Sequence, residues 1–335
     1  MDKLKIKIQK CDLVVTENCM FSCKMCHIWK HKNNDEQISL EDYYHFFNSL
    51  RDYSGRGVQL QFIGGEPLLK KNVLKLVGHA SKGGFNTTMT TNGFLVDESM
   101  SKMIRGCGLG TLGFSLESTH NEIHDFLRGV KGAHEKVIKA LDYFANYPSP
   151  DIFIATIINE YNLDDLVNLA EWANKNKRVN FIYYQALMQP FGMQENENWY
   201  NFDECRPLWP KDLKKVEDIL DKLIYLKSKG HRINNHPGQL EAFKDYFRSP
   251  STFIKKRGKC NIGNDAITVL PNGNIFLCLA KKPIGNIKKD RIEDIWLSSG
   301  TQDVRDEIAN CKINCKLVIN CFFEEEKNEG DKINE

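Results

Sequence analysis

Up to Ala186, short apolar strands alternate with amphipathic helices, and few folds accommodate that order. Strands are predicted over Leu13–Thr16, Val58–Ile63, Asn86–Thr91, Thr111–Leu116, Ile152–Ile158 and Phe181–Ala186. Ser39, with Asp42 three residues on, opens a helix whose apolar stripe is Leu40, Tyr43, Tyr44, Phe47 and Leu50. Further helices are expected near Val73–His79, Glu98–Arg105 and His134–Tyr147. A last one carries Leu163, Leu166, Leu169, Ala170 and Ala173, with Asn162 as its cap. Several strands are apolar throughout, as in a parallel sheet whose faces are covered by helices. The fold class is α/β. The pattern alone leaves open whether the sheet closes into a barrel or stays doubly wound.

In parallel sheets ligands bind in the loops at the carboxyl ends of the strands, and the unusual residues fall there. After the first strand come Cys19, Cys23 and Cys26, three thiols within eight residues. Soft thiolates select zinc, copper(I) or iron–sulfur clusters. A closed structural site takes four protein ligands, so three leave one coordination position open. With His27 or His31 as a fourth ligand the same loop would be a zinc knuckle. Later strand ends carry Gly64-Gly65-Glu66-Pro67, Thr91-Asn92-Gly93, Ser115 with Glu117, and Gln185. Paired glycines permit close backbone approach to a ligand.

With 335 residues, 41% hydrophobic and 27% charged, the chain suffices for one large domain and a smaller one. A formal net charge of +2 gives no reason to expect a nucleic-acid partner, and Lys255-Lys256-Arg257 reads as solvated surface. No apolar run approaches the roughly 20 residues that span a bilayer, and the amino terminus lacks a signal-peptide core. A cytoplasmic protein without a membrane partner is expected. Eleven cysteines are many for that compartment, and they cluster at ligand spacings, which argues for metal over disulfides. Cys11, Cys107 and Cys205 stand apart, with Cys107 read as packing.

Cys260 and Cys278 flank a hairpin over 267–277 that turns at Pro271-Asn272-Gly273. Gly285-Asn286-Ile287, a helix at Ile292–Leu297, and then Cys311, Cys315 and Cys321 follow. Four of these thiolates suit a zinc ribbon as well as an iron–sulfur cluster. The expected organisation is a strand–helix domain over 1–200, linker helices over 201–255, a metal module over 256–322 and a disordered tail over 323–335. The helix beginning near Leu213 and a short helix near Leu240–Phe247 belong to the linker.

Cys19-x3-Cys23-x2-Cys26 at the end of a first strand resembles the signature of the radical S-adenosylmethionine (SAM) superfamily, with Met25 where an aromatic residue is often found. That resemblance implies a partial (β/α)6 TIM-like barrel with a small C-terminal α+β auxiliary-cluster domain. The three cysteines would hold a [4Fe-4S] cluster whose fourth iron binds SAM. Reductive cleavage of SAM then gives a 5′-deoxyadenosyl radical that abstracts a substrate hydrogen. Gly64, Gly65, Glu66 and Pro67 are similar to the family motif that holds the methionyl amino group. Thr91, Asn92, Ser115, Glu117, Arg128 and Gln185 are the further cofactor-binding candidates, Arg128 for the SAM carboxylate and Glu117 for the ribose. His120 and His124 read as ordinary polar positions.

The stretch 260–321 resembles the SPASM/twitch extension. With five cysteines it implies one auxiliary [4Fe-4S] cluster, held by Cys260, Cys278 and Cys311 or Cys315, with Cys321 as the further candidate. A spare thiol, Cys205 first among Cys205, Cys315 and Cys321, could donate a hydrogen atom in an epimerisation. The resemblance implies an oxidoreductase-type enzyme with a peptide or a small molecule such as an amino-sugar as substrate, and an external electron donor of the flavodoxin or ferredoxin type. The alternative of another class is a non-catalytic zinc or iron–sulfur scaffold or redox sensor.

Overall fold

The computed structural model describes residues 7–31, 38–191, 193–194, 196–250, 260–311 and 319–320. Cys315, Cys321, Lys255-Lys256-Arg257 and the tail from 323 lie outside the described residues. Six parallel strands follow in chain order: β1 (Lys10–Thr16), β2 (Gln59–Gly64), β3 (Asn86–Thr91), β4 (Thr111–Ser115), β5 (Asp151–Ile158) and β6 (Phe181–Ala186). Each pairs in parallel with the next, so neighbours in sequence are neighbours in space. This is the radical-SAM-type TIM-like arrangement that the alternation and motifs imply.

The crossovers are α1 (Leu40–Ser54), α2 (Val73–Lys82), α3 (Glu98–Gly106), the pair α4 (Asn121–Arg128) and α5 (Ala133–Asp142), and α6 (Leu166–Lys175). Ser39 and Asp42 form the reciprocal capping box that the sequence predicts for α1. Asn162 departs from its predicted role as a cap. Its side chain donates to Glu117 O and Ile157 O, joining the ends of β4 and β5. The helix predicted to reach Tyr147 stops at Asp142.

Strand alternation gives the sheet two unlike faces. One is apolar and fully buried: Leu13, Phe62, Met89, Phe114 and Ile154 line it. Helices cover it, with the Phe47 ring of α1 against Phe62 and the Tyr184 hydroxyl donating to Leu166 O of α6. The other face is mixed: apolar Val14, Ile63, Phe153 and Phe181 share it with polar side chains. Asp12, Gln61, Thr88, Thr111 and Asp151 form one registered row across five strands. Nearer the carboxyl ends, Thr90, Ala155, Tyr183 and Gln185 stay half-buried. A barrel wall of this make-up suits a wet cavity rather than a dry core.

After α7 (Leu213–Ser228) and α8 (Pro237–Arg248) the chain returns to the sheet. The hairpin β7 (Ala266–Val269) and β8 (Asn274–Phe276), with β9 (Gly285–Asn286), extends it, because β7 pairs in parallel with β1. Among the described residues one nine-stranded sheet therefore runs through both the barrel and the cysteine module. α9 (Ile292–Trp296) and α10 (Ser299–Ala309) pack beside it, and no described helix is long and apolar enough to cross a membrane.

Candidate active site

The cysteine loop leaves β1 and is fixed from three directions. First, Gly65 N donates to Thr16 O and Glu66 N to Asn18 O, each at 2.9 Å, which carries the β1–β2 pairing into the loop. A Cβ on Gly64 would stand 2.2 Å from Thr16 O, and one on Gly65 would stand 2.3 Å from Asn18 O. The paired glycines thus admit the backbone of the cysteine loop itself. Second, the Asn92 amide donates to Met20 Sδ at 3.4 Å, and the Trp29 indole donates to Cys26 O at 2.8 Å.

The third contact comes from the end of α4. Lys24 N donates to Leu127 O at 2.9 Å, and the Ser22 hydroxyl donates to Gly129 O at 3.2 Å. Gly129 closes the helix in the left-handed conformation, at φ 68°. Between these contacts Arg128 reaches in. One Nη pairs with the Glu117 carboxylate; the other donates to Cys23 Sγ at 3.7 Å. The Arg128 side chain is 12% exposed and that of Glu117 is fully buried.

Glu66 is buried and accepts three hydrogen bonds: Leu68 N at 3.1 Å, the Thr91 hydroxyl at 2.7 Å and Asn92 N at 2.8 Å. It caps the short turn Pro67–Leu69 and links the end of β2 to the end of β3. Burial pushes its carboxyl up, while those donors and Arg128 pull it back. Burial likewise pushes Glu117 up, opposed by Arg128 and Ile157 N. Arg128 loses some basicity to burial, but Glu117 and Cys23 more than restore it, so the guanidinium stays charged.

Glu117 spends both carboxylate oxygens inside the protein, on Arg128 and on Ile157 N at 2.9 Å. This geometry makes it the partner of Arg128. His124 is also internal: its Nδ1 accepts from Glu117 N at 3.1 Å. His120 lies 3.7 Å from Asp165, which also receives Ser118 and Thr119. His27 faces Glu204 at 3.4 Å, and Lys30 reaches the same carboxylate at 2.9 Å. Ser115 and Gln185 stand on the mixed face near the carboxyl ends of β4 and β6.

The donor set suits a cluster. Cys19, Cys23 and Cys26 are free thiols. Burial pushes Cys19 up to about 11, helped by the neighbouring Cys23, Glu66 and Cys26 and opposed by Phe21 N. Burial also raises Cys26, and Cys23 adds to that. Thiolates crowded this way need a cation between them. Among the described residues, no group of three or more His, Cys, Asp or Glu is placed to hold a single metal ion. A cubane makes a different demand, because each thiolate binds its own iron. Arg128 Nε is buried without a partner among the described residues, a donor left over at the loop.

In the C-terminal module, burial pushes Cys278 up, and the neighbouring Cys260 and Cys311 add to it. Three of the five predicted ligands are thus brought together. The chain next to the fifth is anchored: Asn320 exchanges hydrogen bonds with Ala186 at the end of β6. Cys205 is buried elsewhere, its Sγ 4.0 Å from Met193 Sδ, and burial pushes it up to about 11.

Residues 13–173 match the model of the radical SAM superfamily, and residues 260–317 match that of the SPASM iron–sulfur cluster-binding domain. The chain carries a radical SAM domain and, toward its C-terminus, a SPASM iron–sulfur domain. Its cofactors are SAM, a SAM-binding [4Fe-4S] cluster and iron–sulfur centres in the SPASM domain.

Streptococcus suis SuiB bound to SAM matches with TM-score 0.68 and 15% identity over 90% of this chain and 68% of that one. Native anSMEcpe with bound AdoMet and a peptide matches with TM-score 0.63 and 19% identity, over 93% of this chain and 88% of the other. Among curated proteins, Fe-coproporphyrin III synthase of Methanosarcina barkeri is 25% identical over 72% of this chain. That match spans 57% of the synthase's own length. GTP 3',8-cyclase of Campylobacter curvus is 24% identical over 92% of each chain.

Sequence reasoning missed two features of the site. One is the contact of Arg128 with Cys23, which joins residues 105 positions apart. The other is Asn320, whose role depends on the outer edge of β6, which is bridged by backbone only at Ile182 among the described residues.

Proposed function

We propose that this radical SAM enzyme modifies a peptide, by cross-linking, epimerisation or oxidation. The observation that carries the reading is the wall toward the carboxyl ends of the strands, where Thr90, Ser115 and Gln185 stand beside apolar Val14, Ile63, Phe153 and Phe181 with no charged side chain among them. Such a wall suits a substrate rich in neutral hydrogen-bonding groups. A triphosphate substrate, as the name GTP 3',8-cyclase gives for that relative, calls for cations. The charged wall residues lie at the opposite end of the strands, where Lys10 is 3.5 Å from Asp12 and Asp151 accepts from Asn180. Solved neighbours of the same fold include SuiB bound to a precursor peptide, which supports the reading. An amino-sugar-type small molecule suits the same wall and is the second reading.

In this account Cys19, Cys23 and Cys26 hold the cluster. When bound, SAM and the cluster supply one-electron cleavage of the sulfonium and abstraction of a substrate hydrogen. Gly65 and Glu66 orient the methionyl amino group from the loop after β2, with Gly64 and Pro67 setting that loop's course. Thr91 and Asn92 keep the Glu66 carboxylate aimed, and Ser115 and Gln185 face the adenosyl and substrate side of the wall. Arg128 offers Nε toward the SAM carboxylate. Cys260, Cys278, Cys311 and one of Cys315 or Cys321 hold one auxiliary cluster. Cys205, kept as a neutral thiol by burial, is the hydrogen-atom donor if the outcome is epimerisation. The electron comes from a flavodoxin- or ferredoxin-type protein.

Anaerobic reconstitution tests the reading. Roughly eight iron per chain is expected for two cubanes, with dithionite-dependent conversion of SAM to 5′-deoxyadenosine and methionine. Two tightly bound zinc and no cleavage would instead identify a scaffold. For the substrate, co-expression with short peptides encoded beside the gene should give a peptide lighter by two hydrogens, or one that gains deuterium from heavy water. Unmodified peptide together with turnover of an amino-sugar would move the assignment to the second reading.

A further inference from the structure

Arg128 is the one cation hydrogen-bonded to a cysteine of the SAM-cluster loop among the described residues, and its position is over-determined. Its own helix end is bound to the loop on both sides, through Leu127 O with Lys24 N and Gly129 O with Ser22. Its counter-ion is equally fixed. Glu117 is held at its carboxylate by Ile157 N, at its amide by His124 Nδ1 and at its carbonyl by Asn162 Nδ2. Cys23, Arg128 and Glu117 therefore form a fixed row: sulfur, guanidinium, carboxylate.

Hydrogen bonds to ligand sulfurs and nearby charge are among the determinants of an iron–sulfur reduction potential. Reduction adds one electron and one negative charge to the cluster and breaks no bond. A cation at a ligand sulfur favours the reduced state; an anion behind that cation offsets part of the effect. We propose that Arg128 and Glu117 act as an opposed pair that sets the reduction potential of the cluster held by Cys19, Cys23 and Cys26, Arg128 raising it and Glu117 limiting the rise. The proposal rests on the assignment of that cluster to those cysteines. It makes Arg128 a positioning and tuning residue before SAM arrives, separate from any contact with the SAM carboxylate. The electron enters from a low-potential flavin or iron–sulfur protein, for which dithionite substitutes in the test.

The test is a redox titration of the reconstituted full chain without SAM, followed by the paramagnetic signal of the reduced N-terminal cluster. Arg128→Gln should move its midpoint to lower potential and Glu117→Gln to higher potential. The midpoint of the auxiliary cluster in the same samples should stay where it is. Should Arg128→Gln fail to load iron, Arg128→Lys replaces it; it keeps the charge but loses the planar fork, and a smaller downward shift is expected. Shifts of the same sign for both positions, or no shift at either, would overturn the proposal. Failure of the underlying assignment looks different: the wild-type chain would then show no N-terminal cluster signal to titrate.

Discussion

Asn320 pairs its side-chain amide with both peptide groups of Ala186, Oδ1 accepting from Ala186 N and Nδ2 donating to Ala186 O, each at 2.8 Å. Two residues earlier on the same edge, Asn235 does the same for Tyr184, again with both bonds at 2.8 Å. Gln239 joins the two sites, accepting from Asn235 and donating to Ile319 O. An exposed strand edge invites pairing with another chain; here a backbone bridge from Ile182 to Ile233 and then these side-chain amides take the place of a full neighbour strand. Asn320→Leu would strand a buried donor and a buried acceptor at a cost of about 2–4 kcal/mol. Chemical denaturation should show that loss, and iron analysis should show less auxiliary cluster, because Asn320 anchors the chain beside Cys321. A variant with the wild-type midpoint and full iron would show that the edge needs no such cover.

Glu66 joins two strand ends through three donors, so its replacement should cost both stability and SAM. In Glu66→Gln one acceptor oxygen becomes an amide that faces N–H or O–H donors. A loss of about 1–3 kcal/mol is expected in denaturant midpoints. SAM should bind at least roughly tenfold more weakly, since each tenfold corresponds to about 1.4 kcal/mol. Calorimetric titration of SAM into the cluster-loaded variant checks this. Unchanged affinity would remove Glu66 from the SAM site while leaving its structural part intact.

Gly129 offers a sharper separation of the two cluster sites. A Cβ there would stand 2.4 Å from Ser22 Oγ and 2.5 Å from Ser22 O, on a backbone at φ 68°. The chain on one side is the end of α4 and on the other is the cysteine loop, so neither yields easily. Gly129→Ala should displace Ser22 to Cys26 and roughly halve the iron per chain, leaving the auxiliary cluster in place. Equal loss from both sites, or from neither, would contradict this picture of the loop.

How much of this was readable in the chain depended on distance along it. The capping box at Ser39, the hairpin turn at Gly273 and the six parallel strands rest on patterns a few residues long, and they are present as the sequence predicts. The positions of Cys19, Cys23, Cys26, Glu66 and Asn92 at strand ends follow from the same local reading. Pairings with no local signature were not legible. Nothing in Ala266–Val269 says that its partner is Lys10–Leu13. Asn162 resembles any helix cap until the carbonyls of Glu117 and Ile157 come within its reach. α10 was overlooked although Ser298 caps it at Thr301 N, because its apolar residues are few. Glu117 resembled a ligand for a sugar because its position at a strand end is local, whereas its engagement by Arg128 depends on how α4 folds back.

His124 makes the closing of α4 over the loop sensitive to acid. Its ring is fully buried, Nδ1 accepts from Glu117 N, and Nε2 has no partner among the described residues. Burial, with Arg128 and His134 nearby, lowers its pKa to about 2. The unfolded chain takes up a proton near pH 6.5 that the folded chain refuses. His124 therefore contributes stability that is complete above about pH 6.5 and is lost progressively as the pH falls toward about 2. The slope approaches about 1.4 kcal/mol per pH unit, so about 2 kcal/mol should go between the plateau at high pH and pH 5. His124→Asn keeps an acceptor for Glu117 N but cannot titrate in this range. Its denaturation midpoint should be lower than wild type at pH 7.5, and the gap should narrow or reverse by pH 5. Parallel pH profiles for the two proteins would mean that the folded chain admits a proton at His124, contrary to its surroundings.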